Sequence, residues 1–472
     1  HCNRGTSTCE PDKPNGFACL GGGECQSGFC EDGYCCNSSC GGTCEACGLA
    51  GFEGSCQPDA PGTPDPQCQG HLCIGGGLCG TICTSDTDCR SGVTCDVLIG
   101  KCTDPNLFAG MLTAVGTVEN PGGSSFIFVP GGQTTPAVAY DGATYLVAWP
   151  DSRYRPQGDI HWARGDATPA SIDGTGVQAI SPQPGGQREV RVAYGGGQYL
   201  LIWRDERSGS SDIYGARVTP AGVNLDPDGF AISAGPAEES APAVAFDGTN
   251  FMVVWSDTRS GNPDILAARV TTGGTVLDPG GLPIAVSPEQ QKHPAIAFDG
   301  ANYLVVWEDV RVTGPEITGT RVQQNGTVLD PGGIQISWSP ADAFKPHVAS
   351  GGNSFFVAWE DYRTGPASVF GARINGFTGG VIDAAGIAIS QGPGNRTRPS
   401  VTFGNANYLV VWEDNRAGNA DIYGARVESM TGNVLDGGPC GGISFSTDSA
   451  RQFEPAVTWT GSRYLVVWTD ER

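Results

Sequence analysis

The sequence predicts an all-β protein, a seven-bladed β-propeller closed by its own N-terminal segment and preceded by an irregular disulfide-rich arm. Three observations predict it. An aromatic and aliphatic run typified by Asn302–Arg311 (NYLVVWEDVR) recurs seven times, with tryptophans at Trp149, Trp203, Trp255, Trp307, Trp359, Trp412 and Trp468 spaced by 52 to 56 residues. A period near 50 residues marks a repeat array. Between these runs lie further alternating apolar stretches bounded by Gly, Asn and Asp turn residues, and no stretch carries a helical period. Eighteen of the 19 cysteines fall between Cys2 and Cys102, ahead of the array.

Residues 1–105 form the arm. Ten cysteines run from Cys2 to Cys47, and groups of four follow at Cys56–Cys79 and Cys83–Cys102. Each group is even, so all can pair locally, and the spacing does not choose among the connectivities. Cys36, Cys40, Cys44 and Cys47 could be drawn as a zinc site. Cysteine at this density favours disulfides instead, because a short chain with few aliphatics replaces its missing core with covalent links in an oxidising compartment. The protein is therefore expected to be secreted or displayed on a cell surface. Its start at His1 rather than Met suggests a removed signal peptide.

Residues 106–472 form the propeller. Strand one is typified by HPAIAFDG (His293–Gly300), strand two by YLVVW (Tyr303–Trp307), strand three by DILAARV (Asp264–Val270) and strand four by IQIS (Ile334–Ser337). Strand two is apolar on both faces, as a strand covered from both sides must be. Four strands sandwiched in this way make a propeller blade. Strands one and two occur seven times, the last copy ending at the C-terminus. Strands three and four also occur seven times, but their first copy, Asn106–Gly142, aligns without a gap to Asp264–Gly300. The N-terminal segment thus completes the blade that the C-terminus begins, and closure removes the exposed edges of an open array. An open solenoid would need atypical capping repeats instead.

Each strand two ends in Asp-x-Arg, including Asp205/Arg207, Asp257/Arg259, Asp309/Arg311, Asp361/Arg363 and Asp414/Arg416. A carboxylate and a guanidinium beside an aromatic ring could receive a sugar. They could equally hold the blade, the Asp pinning the turn and the Arg pairing with an acid. A feature shared by every blade is best explained by the packing that every blade shares. One-site function belongs where the repeats disagree. The first link is unusual, and with its neighbour it offers an aromatic and basic patch of Tyr154, Arg155, His161, Trp162, Arg188 and Arg191 as the candidate binding site. Cys440, left over if the arm cysteines pair, is a free, arm-docking or intermolecular thiol.

The net charge is −23, with no basic run, which disfavours nucleic acid and anionic lipid as partners. No apolar stretch of about 18 residues writes a membrane span. The chain lacks the GxSxG, HExxH, P-loop and DxDxDG signatures and the SxDxGxxW box of sialidases. The expectation is no enzyme, no catalytic residue, no metal and no cofactor, with Ca²⁺ at acidic turns allowed for but without a legible ligand set. The run GGGECQSGFCEDGYCCNSSCGGTCEAC, followed by repeats of the VVWEDxR and DIYGARV kind, resembles secreted and surface proteins of myxobacteria and related deltaproteobacteria. That resemblance implies an exported propeller and carries over no catalytic residues. The function expected is a non-enzymatic extracellular or cell-surface binding or adhesion protein engaging a protein or polysaccharide. Its alternative is a structural subunit of a filament or surface layer, self-assembled by the arm docking on a neighbouring propeller.

Overall fold

Aliphatic and aromatic residues on both faces make strand two the buried middle of every blade, and the blades are built outward from it. The computed structural model describes residues 106–127, 132–152, 158–166, 177–180, 183–311, 314–339, 341–437 and 441–471, with short strands between residues 2 and 103. The chain divides into two units, His1–Asp104 and Pro105–Arg472. In the first, antiparallel pairs such as Phe29–Glu31 with Tyr34–Cys36 and Thr94–Asp96 with Lys101–Thr103 are seen. The expected cysteine pairings there, and Cys440, lie outside the described residues.

The second unit is a seven-bladed propeller. Each blade is a four-stranded antiparallel sheet in the order one, two, three, four. In blade 2 these strands are Gln187–Gly195, Gln198–Asp205, Asp212–Val218 and Phe230–Ser233. The closing sheet, blade 7, takes Gln452–Trp459 and Arg463–Asp470 from the C-terminal end and Asn106–Thr113 and Ser124–Ile127 from the N-terminal end. Its register pairs Trp468 with Phe108 and Asp470 with Asn106. Neighbouring strand ones pack around the whole ring, the last against the first.

The core is seven hydrophobic clusters, one between each pair of adjacent blades. Across the closure, Leu107, Ala109 and Met111 of blade 7 pack on Tyr145, Val147 and Trp149 of blade 1. The strand-two tryptophans are buried, and truncating one to Ala would cost about 3–5 kcal/mol.

Polar clamps reinforce these interfaces. The strand-three Arg217 donates Nε and Nη2 to Asp226 at 2.8 and 2.9 Å, and its Nη1 donates to the Thr272 carbonyl of the next blade at 3.1 Å. Gly274 makes room for that reach, since its φ is +84° and a Cβ there would meet the Arg217 guanidinium at 2.9 Å. Arg426 repeats the clamp across the closure, pairing with Asp436 and donating to the Ala114 carbonyl at 2.8 Å. No helix among the described residues is long and apolar enough to cross a membrane.

Candidate functional site

One residue per blade, at the start of strand one, leaves the sheet register. Thr135, Glu189, Ala241, His293, Lys345, Arg398 and Glu454 all have φ between +45° and +56°. In six of these strands the ladder skips at this point, as between Lys292 and Ala295 or Thr397 and Ser400. A bulge frees a backbone N–H that the ladder no longer satisfies. Carboxylates of the preceding blade accept it. Glu308 accepts from Lys345 N at 2.7 Å, Glu360 from Arg398 N at 2.8 Å and Glu413 from Glu454 N at 2.7 Å. Glu454 accepts from Thr135 N and Glu189 from Ala241 N, both at 2.6 Å.

Because strand one lines the axis, these bulges gather charge at one end of it. Arg398 is the hub. Its Nη1 lies 3.0 Å from Glu413 and 3.5 Å from Glu454, while its backbone holds Glu360. Lys345 Nζ lies 2.7 Å from His293 Nε2, and His293 Nδ1 lies 2.9 Å from a Glu308 carboxylate oxygen. Burial raises the Glu360 and Glu454 carboxyls above the ordinary range, and the charge of Glu413 adds to both. Burial lowers Lys345 against the pull of Glu308 and Glu360. Arg398 is raised, because Glu413 and Glu454 outweigh its burial. One layer away, burial and the charge of Arg191 bring His347 down to about 4, and its Nδ1 accepts from Val401 N at 3.2 Å. Carboxyls and amines with divergent proton affinities in one cluster are the mark of acid–base equipment.

The residues picked out by sequence lie partly elsewhere. Arg191 belongs to the axial cluster, where Glu189 and Glu454 attract it, and Arg188 is exposed on the other side of the same bulge. His161 and Trp162 do not join an exposed patch. They are buried in strand three of blade 1, where cross-strand pairing with Trp149 stacks the His161 ring 6.3 Å from the indole. Tyr154 and Arg155 lie outside the described residues. The Asp-x-Arg pairs sit at the turn after strand two. Asp205 accepts from Trp203 Nε1 at 2.8 Å, from Arg207 N at 2.9 Å and from Arg207 Nε and Nη2 at 2.8 and 2.7 Å. Asp257, Asp361 and Asp414 repeat these contacts. Asp309 differs, as described below. Among the described residues no group of three or more His, Cys, Asp or Glu is placed to hold a metal ion.

The axial residues were readable in the sequence as a column rather than a run. The position before the strand-one proline, or before Val190 in blade 2, reads Thr, Glu, Ala, His, Lys, Arg, Glu through the seven repeats.

No family model and no curated protein matches the chain. Solved structures do. They include the arabinanase of Bacillus subtilis, at 15% identity over 52% of this chain and 96% of that one, with a TM-score of 0.34. The α-L-arabinanase of Penicillium chrysogenum complexed with arabinobiose matches at 12% identity over 77% and 97%, with a TM-score of 0.43. A puromycin-hydrolyzing peptidase of Mycobacterium tuberculosis matches at 12% identity over 69% and 56%, with a TM-score of 0.38. At such identities the likeness is one of fold, and no residue role transfers. Several of these solved structures are arabinanases or a family-43 glycoside hydrolase, which stands against two expectations. The absence of familiar catalytic motifs does not make the chain a non-enzyme, and the reading as a non-enzymatic adhesion protein or filament subunit is withdrawn with it.

Proposed function

We propose that the protein is a hydrolase of glycosidic bonds acting at the axial cluster, with a polysaccharide as substrate. The observation that carries this reading is the pair of carboxylates on one guanidinium. Glu413 and Glu454 lie 3.0 and 3.5 Å from the same Arg398 nitrogen, so their contacting oxygens are at most 6.5 Å apart. Acetal hydrolysis needs two carboxyl groups, and a separation of about 5–5.5 Å accompanies retention of configuration whereas about 6.5–9.5 Å accompanies inversion. The upper bound here favours retention. Glu454, whose carboxyl burial raises above its ordinary value, is the acid that donates a proton to the leaving oxygen as the bond to the anomeric carbon breaks. Glu413 attacks that carbon and forms a glycosyl ester. Water then gives a proton back to Glu454 and its oxygen to the sugar, restoring both side chains.

Incubation with neutral polysaccharides should release reducing sugar with retained anomeric configuration, read by proton NMR. Glu454→Gln and Glu413→Gln should each lower kcat by at least about 100-fold. Both amides still accept the bulge N–H, so an unchanged melting temperature checks the fold. Activity should fall on the alkaline side as Glu454 loses its proton, at a pH above the ordinary carboxylate range. An absence of hydrolysis across the panel, or full activity in Glu454→Gln, would sink the reading.

A further inference from the structure

Blade 4 breaks the turn that blades 2, 3, 5 and 6 share. Blades 2, 3, 5 and 6 read Asp-x-Arg-x-Gly, and Gly209, Gly261, Gly365 and Gly418 all take φ near +100°, between +98° and +112°. In blade 4 Thr313 stands at that position and the glycine comes one residue later, at Gly314. Strand two runs on to Arg311 there, pairing Val310 with Pro315 and Arg311 with Gly314.

Two losses follow. In blades 1, 2, 3, 5, 6 and 7 the strand-two indole N–H donates to the Asp two residues on. Asp309 accepts from Arg311 Nε and Nη2 at 3.0 and 2.9 Å and from Gln291 Nε2 at 3.4 Å, and Trp307 Nε1 is left buried without a partner. The residue facing Trp307 across the sheet is also small. Its counterparts are His161, Tyr214, Leu266, Phe370, Tyr423 and Phe108, but in blade 4 it is Thr318. Arg207, Arg363 and Arg416 lie 4.1 to 4.3 Å over the rings of Tyr214, Phe370 and Tyr423. Arg311 has no such ring, and its side chain is 44% exposed.

Beside Thr318 lies a cleft of about 480 Å³ between blades 3 and 4, within the roughly 300–1,000 Å³ of small-ligand sites. Three buried polar atoms without partners belong to residues lining it: Trp307 Nε1, Thr318 Oγ1 and Gln291 Oε1. Buried polar atoms are seldom left unpaired, and a ligand with matching groups in the cleft would satisfy these three. Asp309, Arg311 and Ser287 complete the wall. The corresponding cleft between blades 2 and 3 is lined by Arg259 and Glu239 and has no indole in its wall.

From this geometry we infer that the cleft at Trp307 is a saccharide-binding site, separate from the axial cluster and on the same face of the ring. The Trp307 indole packs its faces in the core and offers the N–H at its edge. Thr318 supplies a hydroxyl that donates or accepts, Gln291 an acceptor, and Arg311 and Asp309 a donor and acceptor at the rim. The hydroxyl-lined edge of a pyranose or furanose ring satisfies that set. The cleft serves to hold a chain on the face where the axial carboxylates open.

The test is titration of the whole chain, carrying Glu454→Gln to keep oligosaccharides uncleaved, with maltotriose, cellotriose, xylotriose and galactobiose. The readout is the indole N–H resonance of Trp307, assigned by its loss in Trp307→Phe. One or more saccharides should shift it. Thr318→Val should weaken binding by about three- to tenfold, the effect of one hydrogen bond. Thr318→Tyr, which restores the ring of blades 2 and 6, should fill the cleft and abolish binding while the melting temperature holds or rises. No shift with any of the four sugars, or binding unaltered in Thr318→Tyr, would overturn the assignment. Hydrolysis by the unsubstituted chain is measured separately, so failure of one proposal leaves the other standing.

Discussion

Asp205 concentrates the logic of the repeat in one carboxylate. It is fully buried, yet it accepts an indole N–H, a backbone N–H and two guanidinium donors. Its burial raises its pKa, but the hydrogen bonds from Arg207 and Trp203 outweigh that and hold it below the usual carboxylate value. A depressed pKa contributes stability at pH above the unfolded-state value, and that stability is lost as the pH falls through the ordinary carboxylate range towards the folded value. Asp205→Asn should cost about 3 kcal/mol at neutral pH, as when one member of a buried pair is removed. Asp309→Asn should cost only about 1 kcal/mol, since Asp309 has lost the indole and backbone bonds and its Arg311 is half exposed. Thermal melts of the two variants compare them directly, and equal losses would show that the indole and backbone bonds contribute nothing.

At the scale of the strand, the bulge is what turns a repeat into a site. It lifts one residue per blade out of the ladder, aims it at the axis and offers its N–H to the blade before. The conformation carries strain wherever that residue is not glycine, roughly 1 kcal/mol for an L-residue with positive φ. Ala241, at φ +52° with its N–H held by Glu189, has no side-chain interaction to lose. Ala241→Gly should therefore raise stability by about 0.5–1 kcal/mol, moving the denaturant midpoint without changing its slope. A destabilised variant would mean that glycine's unfolded-state entropy outweighs the relieved strain.

For the whole molecule, closure depends on a strand pair whose members come from opposite ends of the described propeller. Asn106–Thr113 lies beside Arg463–Asp470, packs Leu107, Ala109 and Met111 into the interface with blade 1, and is tied to blade 6 through the Arg426 bond to Ala114. Deleting Asn106–Thr113 would strip one face of the cluster and leave Arg463–Asp470 as an open edge. The expected outcome is loss of cooperative melting, with association on size-exclusion chromatography. A monodisperse protein with the same melting temperature would contradict closure by this strand.

The ring, its blade count and its closure were all written in the sequence, because they follow from a period and from which strand types occur at each end. The Asp-x-Arg turns were readable for the same reason. The departure in blade 4 was also on view as a glycine displaced by one residue and as Thr318 where the other blades carry a ring or Leu266, though its meaning was not, since a cleft exists only once strands two and three are paired. The axial cluster could not be read along the chain. Glu189, His293, Lys345, Arg398 and Glu454 are each about a blade or more apart, and the links around Tyr154 drew attention because their unusual residues were adjacent in sequence. Arg191 was singled out with His161 and Trp162, whereas the fold sets it among Glu189, Glu454 and His347. Local pattern determined the blades. Only the closed ring, by bringing the same position of every blade to one axis, decided which charges meet.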